Sequence, residues 1–309
     1  VMNGTPFCTN TVSGTATSLL IALPVVAITG DVSICEGSTA DVTFTGTPLS
    51  IVTFTIDGGV VQTQNLDATG TAVFTVAGLA SGAHTVDLVD VTSSDPAGCS
   101  QTQVGSVVID VIASPTVAIS ALATTICDNT STDITFTGTA DAVVNYTIDG
   151  VAQPAITLDS TGSFTLSTGI LTADTVYALV DVTTATTPAC TIANTGSVTV
   201  TVLAPLAATI SATNACENDT ALITITGDIN STVTYTDGLG ATQTVDLGAT
   251  GTASIVTPAL TTDLTYTLVS SVMNGTPFCT NTVSGTATST MLALPTATIT
   301  GDITICENG

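Results

Sequence analysis

Four prolines open the same phrase: PVVAITGDVSICEG at Pro24, PTVAISALATTICDN at Pro115, PLAATISATNACEN at Pro205 and PTATITGDITICEN at Pro295. The spacings are 91, 90 and 90 residues. Self-similarity at a fixed period marks a tandem array of one module. A unit of about ninety residues is long enough to close a core of its own. Each phrase inside the array is followed in order by TFTGT or TITGD (43–47, 135–139, 224–228), by a TIDG or TDG turn (55–59, 147–150, 236–238), by L-[DG]-[AS]-TG (66–70, 158–162, 247–251) and by LVDV or LVSS (88–91, 179–182, 268–271). The stretch VMNGTPFCTNTVSGTATS stands at both 1–18 and 272–289, so the chain starts on the end of a unit like the third. The expected organisation is the C-terminal part of one repeat (1–23), three whole repeats (24–114, 115–204, 205–294) and the beginning of another (295–309).

Within a repeat the apolar residues alternate with period two. Val42 and Phe44, then Val52, Phe54 and Ile56, then Ala72, Phe74 and Val76 fall on one side, with Thr between them. That is the pattern of strands with one buried and one wet face. Thr, Val and Ile are β-branched and favour strands, and DGG at 57–59 reads as a tight hairpin turn. About seven strands per repeat predict an all-β chain of immunoglobulin (Ig)-like sandwiches. An odd strand number carries the chain from pole to pole, and proline junctions without spacers restrict swinging. The expectation is therefore domains set end to end as a rod. Tyr177 and Tyr266 align on the sixth strand, either as a corner hydrogen bond or as core aromatics.

The chain has no Lys or Arg against 24 Asp and Glu, yet 44% of its residues are hydrophobic. That excludes a disordered acidic tail. Phosphate neutralisation needs cations, so nucleic acid is excluded as a partner, as is attraction to anionic lipid. A Lys-based isopeptide cross-link is chemically impossible. No apolar run reaches the length of a membrane span, so no membrane insertion is expected. VMNGTPFC lacks the basic start of a signal peptide, and the chain reads as an internal piece of something longer.

Eight cysteines fall two per repeat, at 8, 35, 99, 127, 190, 216, 279 and 306. Regular even usage predicts disulfides in an oxidising, extracellular compartment. Within repeats the pairs would be Cys35–Cys99, Cys127–Cys190 and Cys216–Cys279. Strand counting sets the members of each pair at opposite poles, which conflicts with the short Cα separation a disulfide needs. The alternative joins neighbouring repeats, Cys35 to Cys190 of the next. Free thiols are the third reading, and Cys8 and Cys306 would find partners in repeats outside the chain.

The PTATITGDITICE phrase, with TFTGTP, TIDGG, LDATG and GCSQTQVGSV downstream, resembles the tandem Ig-like or PKD-like repeats of very large cell-surface proteins in Bacteroidota, gliding-associated adhesins among them. The resemblance covers essentially the whole chain. It implies export by the type IX route and a role in adhesion or surface filaments at the cell surface. The absence of Lys and Arg departs from an average member.

No grouping of nucleophile, base and acid is found, so no enzyme is expected, and no cofactor unless calcium. Glu36, Asp128 and Glu217 follow the first cysteine of each repeat. They are calcium candidates only if a junction brings two such turns together, since calcium takes six to eight oxygens. Solvated turn acids are the plainer reading. Ser160, Thr175 and Thr220 sit in Asp-Ser/Thr triplets that resemble the O-glycan acceptors of Bacteroidota. The single His84 has no counterpart in the other repeats and reads as incidental. Three functions follow: a structural stalk or filament segment of a secreted adhesin; a subunit of a self-assembling fibre, sheath or surface layer, with copies of itself and the neighbouring repeats as partners; or a carbohydrate-binding accessory region, weakened by the absence of Trp.

Overall fold

The computed structural model describes residues 13–301. Among them every regular element is a β-strand except one 3-10 turn at Gly248–Thr250. Among the described residues no helix is long and apolar enough to cross a membrane.

The first repeat contains Val26–Thr29 (β1), Val32–Cys35 (β2), Ala40–Gly46 (β3), Ile51–Ile56 (β4), Gln62–Asn65 (β5), Thr71–Val76 (β6), Gly82–Thr92 (β7), Ser100–Thr102 (β8) and Ser106–Ile112 (β9). One sheet has the order β1-β3-β6, and the other β2-β9-β7-β4-β5 with β8 on β7. The opening strand is thus divided. β1 pairs antiparallel with β3, the chain crosses over, and β2 pairs parallel with β9. Two sheets that share a divided first strand form an Ig-like sandwich.

The second repeat contains Val117–Ala121 (β10), Thr125–Cys127 (β11), Asp133–Gly138 (β12), Val143–Ile148 (β13), Val151–Ala152 (β14), Ile156–Thr157 (β15), Ser163–Ser167 (β16), Thr175–Thr183 (β17), Thr191–Ala193 (β18) and Ser197–Leu203 (β19). Its sheets are β10-β12-β16 and β11-β19-β17-β13-β14, with β15 and β18 attached. The third contains Ala208–Ala212 (β20), Ala215–Cys216 (β21), Leu222–Gly227 (β22), Ser231–Thr236 (β23), Thr242–Asp246 (β24), Thr252–Val256 (β25), Leu264–Met273 (β26), Thr280–Thr282 (β27), Thr286–Ser289 (β28) and Met291–Leu292 (β29). The pairs β10–β12 and β20–β22 are antiparallel, while β11–β19 and β21–β29 are parallel, repeating the divided strand.

By backbone proximity the chain forms two compact units. One takes 13–116 with Asp141–Val143 and Val182–Ala193; the other takes Val117–Ala140, Val144–Asp181 and the residues from Asn194 on. In the first, Val42, Phe44, Val52, Phe54, Val86 and Ile109 are fully buried. Phe54 stacks against Phe44 and Phe74, with both pairs of ring centroids 4.9 Å apart. In the second, Phe136 meets Tyr146 edge-on at 5.2 Å, and Ile223, Ile225, Val233 and Leu260 are fully buried. Of the inward positions read from the sequence, Val42, Phe44, Val52, Phe54, Ala72 and Val76 are buried, while Ile56 and Phe74 are partly buried against them. Tyr177 and Tyr266 are buried core residues.

Two local features recur and explain sequence motifs. The glycine of each L-[DG]-[AS]-TG turn (Gly70, Gly162, Gly251) has positive φ, and a Cβ there would run into the carbonyl oxygen of Gly46, Gly138 or Gly227. Those carbonyl-bearing glycines donate their own N–H to the turn glycine's carbonyl at 2.8, 2.8 and 2.9 Å. The second feature is a β-bulge. Thr53 faces Asp90 but Phe54 faces Leu88, so Val89 is skipped; Thr234 and Tyr235 skip Val269 in the same way. The skipped Val89 and Val269 carbonyls accept from Gln103 N–H (3.1 Å) and Val283 N–H (3.2 Å) of the following hairpin. A bulge bends its strand and increases the local twist, and the loops that follow β7 and β26 carry Cys99 and Cys279.

Candidate functional site

The divided first strand decides where the cysteines lie. In the first repeat, Cys35 ends β2 and is paired with Ile112, the last residue of β9. It therefore stands at the pole from which the chain leaves. Cys99 lies in the β7–β9 hairpin, beyond Gly105, which precedes the start of β9. The seven residues of β9 separate the two levels, and at about 3.3 Å per residue that is roughly 20 Å. A disulfide cannot span it.

The bonds join different repeats instead. Cys35 is bonded to Cys190 with a Cα–Cα distance of 5.6 Å, and Cys127 to Cys279 with one of 5.4 Å. The expected pairs Cys35–Cys99, Cys127–Cys190 and Cys216–Cys279 do not form, for the reason of distance just given. Of the two remaining expectations, the structure has the bond to the next repeat. Cys99 and Cys216 carry no disulfide. Cys8 and Cys306 lie outside the described residues.

Each bonded cysteine is held from both sides by backbone. On the strand side, Glu36 N–H donates to Ile112 O at 2.9 Å and Asp128 N–H to Leu203 O at 3.1 Å. On the hairpin side, Thr184 N–H donates to Cys190 O and Met273 N–H to Cys279 O, both at 2.9 Å. Asn281 Nδ2 donates to Leu206 O at 2.7 Å, fastening the Cys279 hairpin to the first residues of its own repeat. Cys190 and Cys279 are buried, and a small cleft lined by Asp128, Asn129, Pro205, Leu206 and Thr280 surrounds the Cys127–Cys279 bond. The arrangement is a covalent staple from the exit pole of one repeat to the entry hairpin of the next.

The acids serve as backbone acceptors in a chain without cationic side chains. Asp57 Oδ1 accepts from Thr85 N–H, and Asp149 Oδ1 from Val176 N–H, both at 2.8 Å. Asp31 accepts from Val108 N–H and Asp174 from Val202 N–H, both at 2.7 Å. Asp67 Oδ1 takes the Thr69 hydroxyl and the N–H groups of Thr69 and Thr71; Asp159 Oδ1 does the same with Thr161 and Ser163. These bonds hold both carboxyls below their usual range, the Thr hydroxyl contributing most. Bonds to a carboxylate are charge-assisted, so each acid fixes a turn.

The calcium candidates do not converge. Glu36 is exposed and its carboxylate accepts from Ser114 N–H at 3.1 Å; Asp128 accepts from Asn129 Nδ2 at 2.6 Å. Glu217 is an exposed turn residue. Among the described residues no three His, Cys, Asp or Glu side chains come together. Of the glycan candidates, Ser160 and Thr220 are exposed. Thr175 is only 8% exposed and its hydroxyl donates to Ala173 O at 3.1 Å.

His84 has partners that its isolation in the sequence conceals. Its Nδ1 lies 2.7 Å from Asp57 Oδ2 and its Nε2 2.8 Å from Ala80 O. The hydrogen bond to Asp57 is the main reason the imidazole pKa is raised, and the same bond lowers that of Asp57. Asp57 follows the first repeat's hairpin strand, and only the fold brings β7 beside it.

The fold defines a class: tandem Ig-like β-sandwich repeats. No protein-family model matches the chain, and no curated protein does. Solved structures do. An adhesin of an Antarctic bacterium, described as Ca2+-stabilised and binding ice, is 22% identical over 88% of this chain and 75% of its own, with a TM-score of 0.39. The titin I-band fragment I67–I69 is 13% identical over 89% of this chain and 100% of its own, with a TM-score of 0.43. The D1–D4 fragment of ICAM-5 is 7% identical over 87% and 77%, with a TM-score of 0.40. Scores at this level carry no argument about function.

Proposed function

We propose that the chain is a structural stalk or filament segment of a secreted surface adhesin, with no catalytic role. The observation that carries this reading is the pair of staples, Cys35–Cys190 and Cys127–Cys279, each tying one repeat to the next. A bond placed within a repeat would stabilise that repeat alone. A bond between repeats restrains their separation, which is what carrying force between a cell and a surface calls for. Disulfides persist in oxidising surroundings, which supports an extracellular location. The Bacteroidota origin, the type IX route and the gliding-associated setting rest on the sequence resemblance. The bonded partners within the chain are its own neighbouring repeats, and the distal ligand is a surface or a glycan.

Small-angle scattering of the oxidised chain tests the reading. An extended particle, with roughly 35–45 Å per repeat from strands of about ten residues, is the expected result. A compact particle with the dimensions of a single globule overturns it. Sedimentation at rising concentration addresses the neighbouring reading, a fibre or sheath subunit, which requires self-association.

A further inference from the structure

Cys99 and Cys216 carry no bond, yet the chain holds them as it holds their bonded equivalents. Cys216 faces Leu292 in a parallel pair, as Cys35 faces Ile112 and Cys127 faces Leu203. The next N–H, that of Glu217, donates to Leu292 O at 2.9 Å, matching the bonds made by Glu36 and Asp128. Ser93 N–H donates to Cys99 O at 2.8 Å, matching Thr184 to Cys190 and Met273 to Cys279. The hairpin cysteines that have bonded, Cys190 and Cys279, are buried, while Cys99 is half-buried. The backbone therefore presents these two thiols as it presents the bonded cysteines.

The staples have a direction. In both bonds the strand-end cysteine belongs to the earlier repeat and the hairpin cysteine to the later one. We propose that Cys99 and Cys216 are unlike, complementary half-staples: Cys216 takes the hairpin cysteine of a following repeat, and Cys99 takes the strand-end cysteine of a preceding one. The partner is an Ig-like repeat of this same kind, supplied either by the same polypeptide or by a second copy. Successive repeats then join covalently with one polarity, head to tail. The inference stands whether or not the chain is a surface stalk, because it rests on the two bonds and the backbone that presents the two thiols.

Bond formation requires an oxidant, and a low-molecular-weight disulfide suffices. One protein thiolate attacks it and releases one small thiol, leaving a mixed disulfide. The second protein thiolate then displaces the other small thiol. Two protons and two electrons leave the protein pair, and one small disulfide becomes two thiols.

The test uses the full chain with Cys8→Ser and Cys306→Ser, equilibrated in reduced and oxidised glutathione and mapped by non-reducing peptide mass spectrometry. The bonds Cys35–Cys190 and Cys127–Cys279 report that the repeats have folded. In the first arm the chain is extended after residue 294 by a second copy of 205–294. Cys216 is expected to bond the hairpin cysteine of the added repeat, in a yield independent of concentration. In the second arm the unextended chain is concentrated. Unlike Cys99–Cys216 dimers exceeding like pairs by at least about tenfold place the partner on a second copy, and their absence beside a positive first arm places it within one polypeptide. Cys216 left as a thiol or glutathione adduct in the folded extended chain overturns the proposal. So do like pairs as abundant as unlike ones.

Discussion

Removing the staple at the first junction gives the most direct measure of what it contributes. Cys35 and Cys190 are replaced together by Ala, so that no lone thiol is left to pair with Cys99. The bond spans a sequence separation of 155, for which the chain-entropy relation gives about 5 kcal/mol. If one repeat opens while its neighbour holds, the closed loop is about half as long, and the figure falls by only about 0.6 kcal/mol. Measured disulfides commonly deliver less than the entropic value, so the expected loss is about 2–4 kcal/mol. With a guanidinium slope of about 3 kcal/mol/M for a domain of this size, the midpoint of the first transition falls by about 1 M. All four tyrosines lie in the second and third repeats and none in the first. Circular dichroism thus follows the whole array, and tyrosine fluorescence follows only the later two repeats. The first repeat is expected to unfold earlier by dichroism, ahead of the tyrosine signal. A midpoint shift below about 0.2 M, or an equal loss from Cys99→Ala alone, would refute the reasoning.

Gly70→Ala places a Cβ against the Gly46 carbonyl at a positive φ of 82°, and a loss of about 1–3 kcal/mol in denaturant unfolding is expected. Phe44→Ala empties the centre of the first core, where Phe44 is fully buried, with an expected loss of about 3–5 kcal/mol by the same assay. The folded-state pKa of Asp159 is lowered, so its contribution is present above the ordinary carboxylate pKa and lost as pH falls through the lower folded value; Asp159→Asn should lower the melting temperature at neutral pH and reduce its fall on acidification. The His84 pKa is raised, so its contribution is complete below the ordinary imidazole value and lost as pH rises through the raised one. The melting-temperature difference between wild type and His84→Gln should therefore be largest below the ordinary imidazole pKa of about 6.5 and shrink as the pH rises through the raised one, and a difference that does not change with pH refutes the pairing.

The sandwich was legible because its determinants are local. Alternation places Val42, Phe44, Val52 and Phe54 inward whatever the neighbouring repeat does, and the turn glycines mark their own positions. The bulge was not legible: skipping Val89 breaks the period of two for one residue, and LVDV reads equally well as an ordinary strand. The division of the opening strand into β1 and β2 escaped for a related reason. A short polar link at Gly30 and Asp31 looks like any turn, and only sheet pairing reveals that the chain has changed sheets. That crossing puts Cys35 beside the end of β9, and hence beside the next repeat. The conflict with an internal bond was visible from strand counting alone, and Cys190 of the next repeat stood as the alternative partner; what strand counting could not do was choose between the two. His84 shows the same limit, since Asp57 lies on a separate hairpin and no local pattern pairs them.

The two staples also overlap along the polypeptide. The ring closed by Cys35–Cys190 and the ring closed by Cys127–Cys279 share residues 127–190. When the ends are pulled apart, tension can cross each sulfur bridge instead of following the backbone around its ring. Melting the first sandwich then lengthens the molecule little, since residues 36–126 lie on a branch that the Cys35–Cys190 bridge bypasses. The shortest covalent route from Cys35 to Cys279 then runs through both bridges and residues 127–190 alone, and a reductant restores the full length of backbone between them.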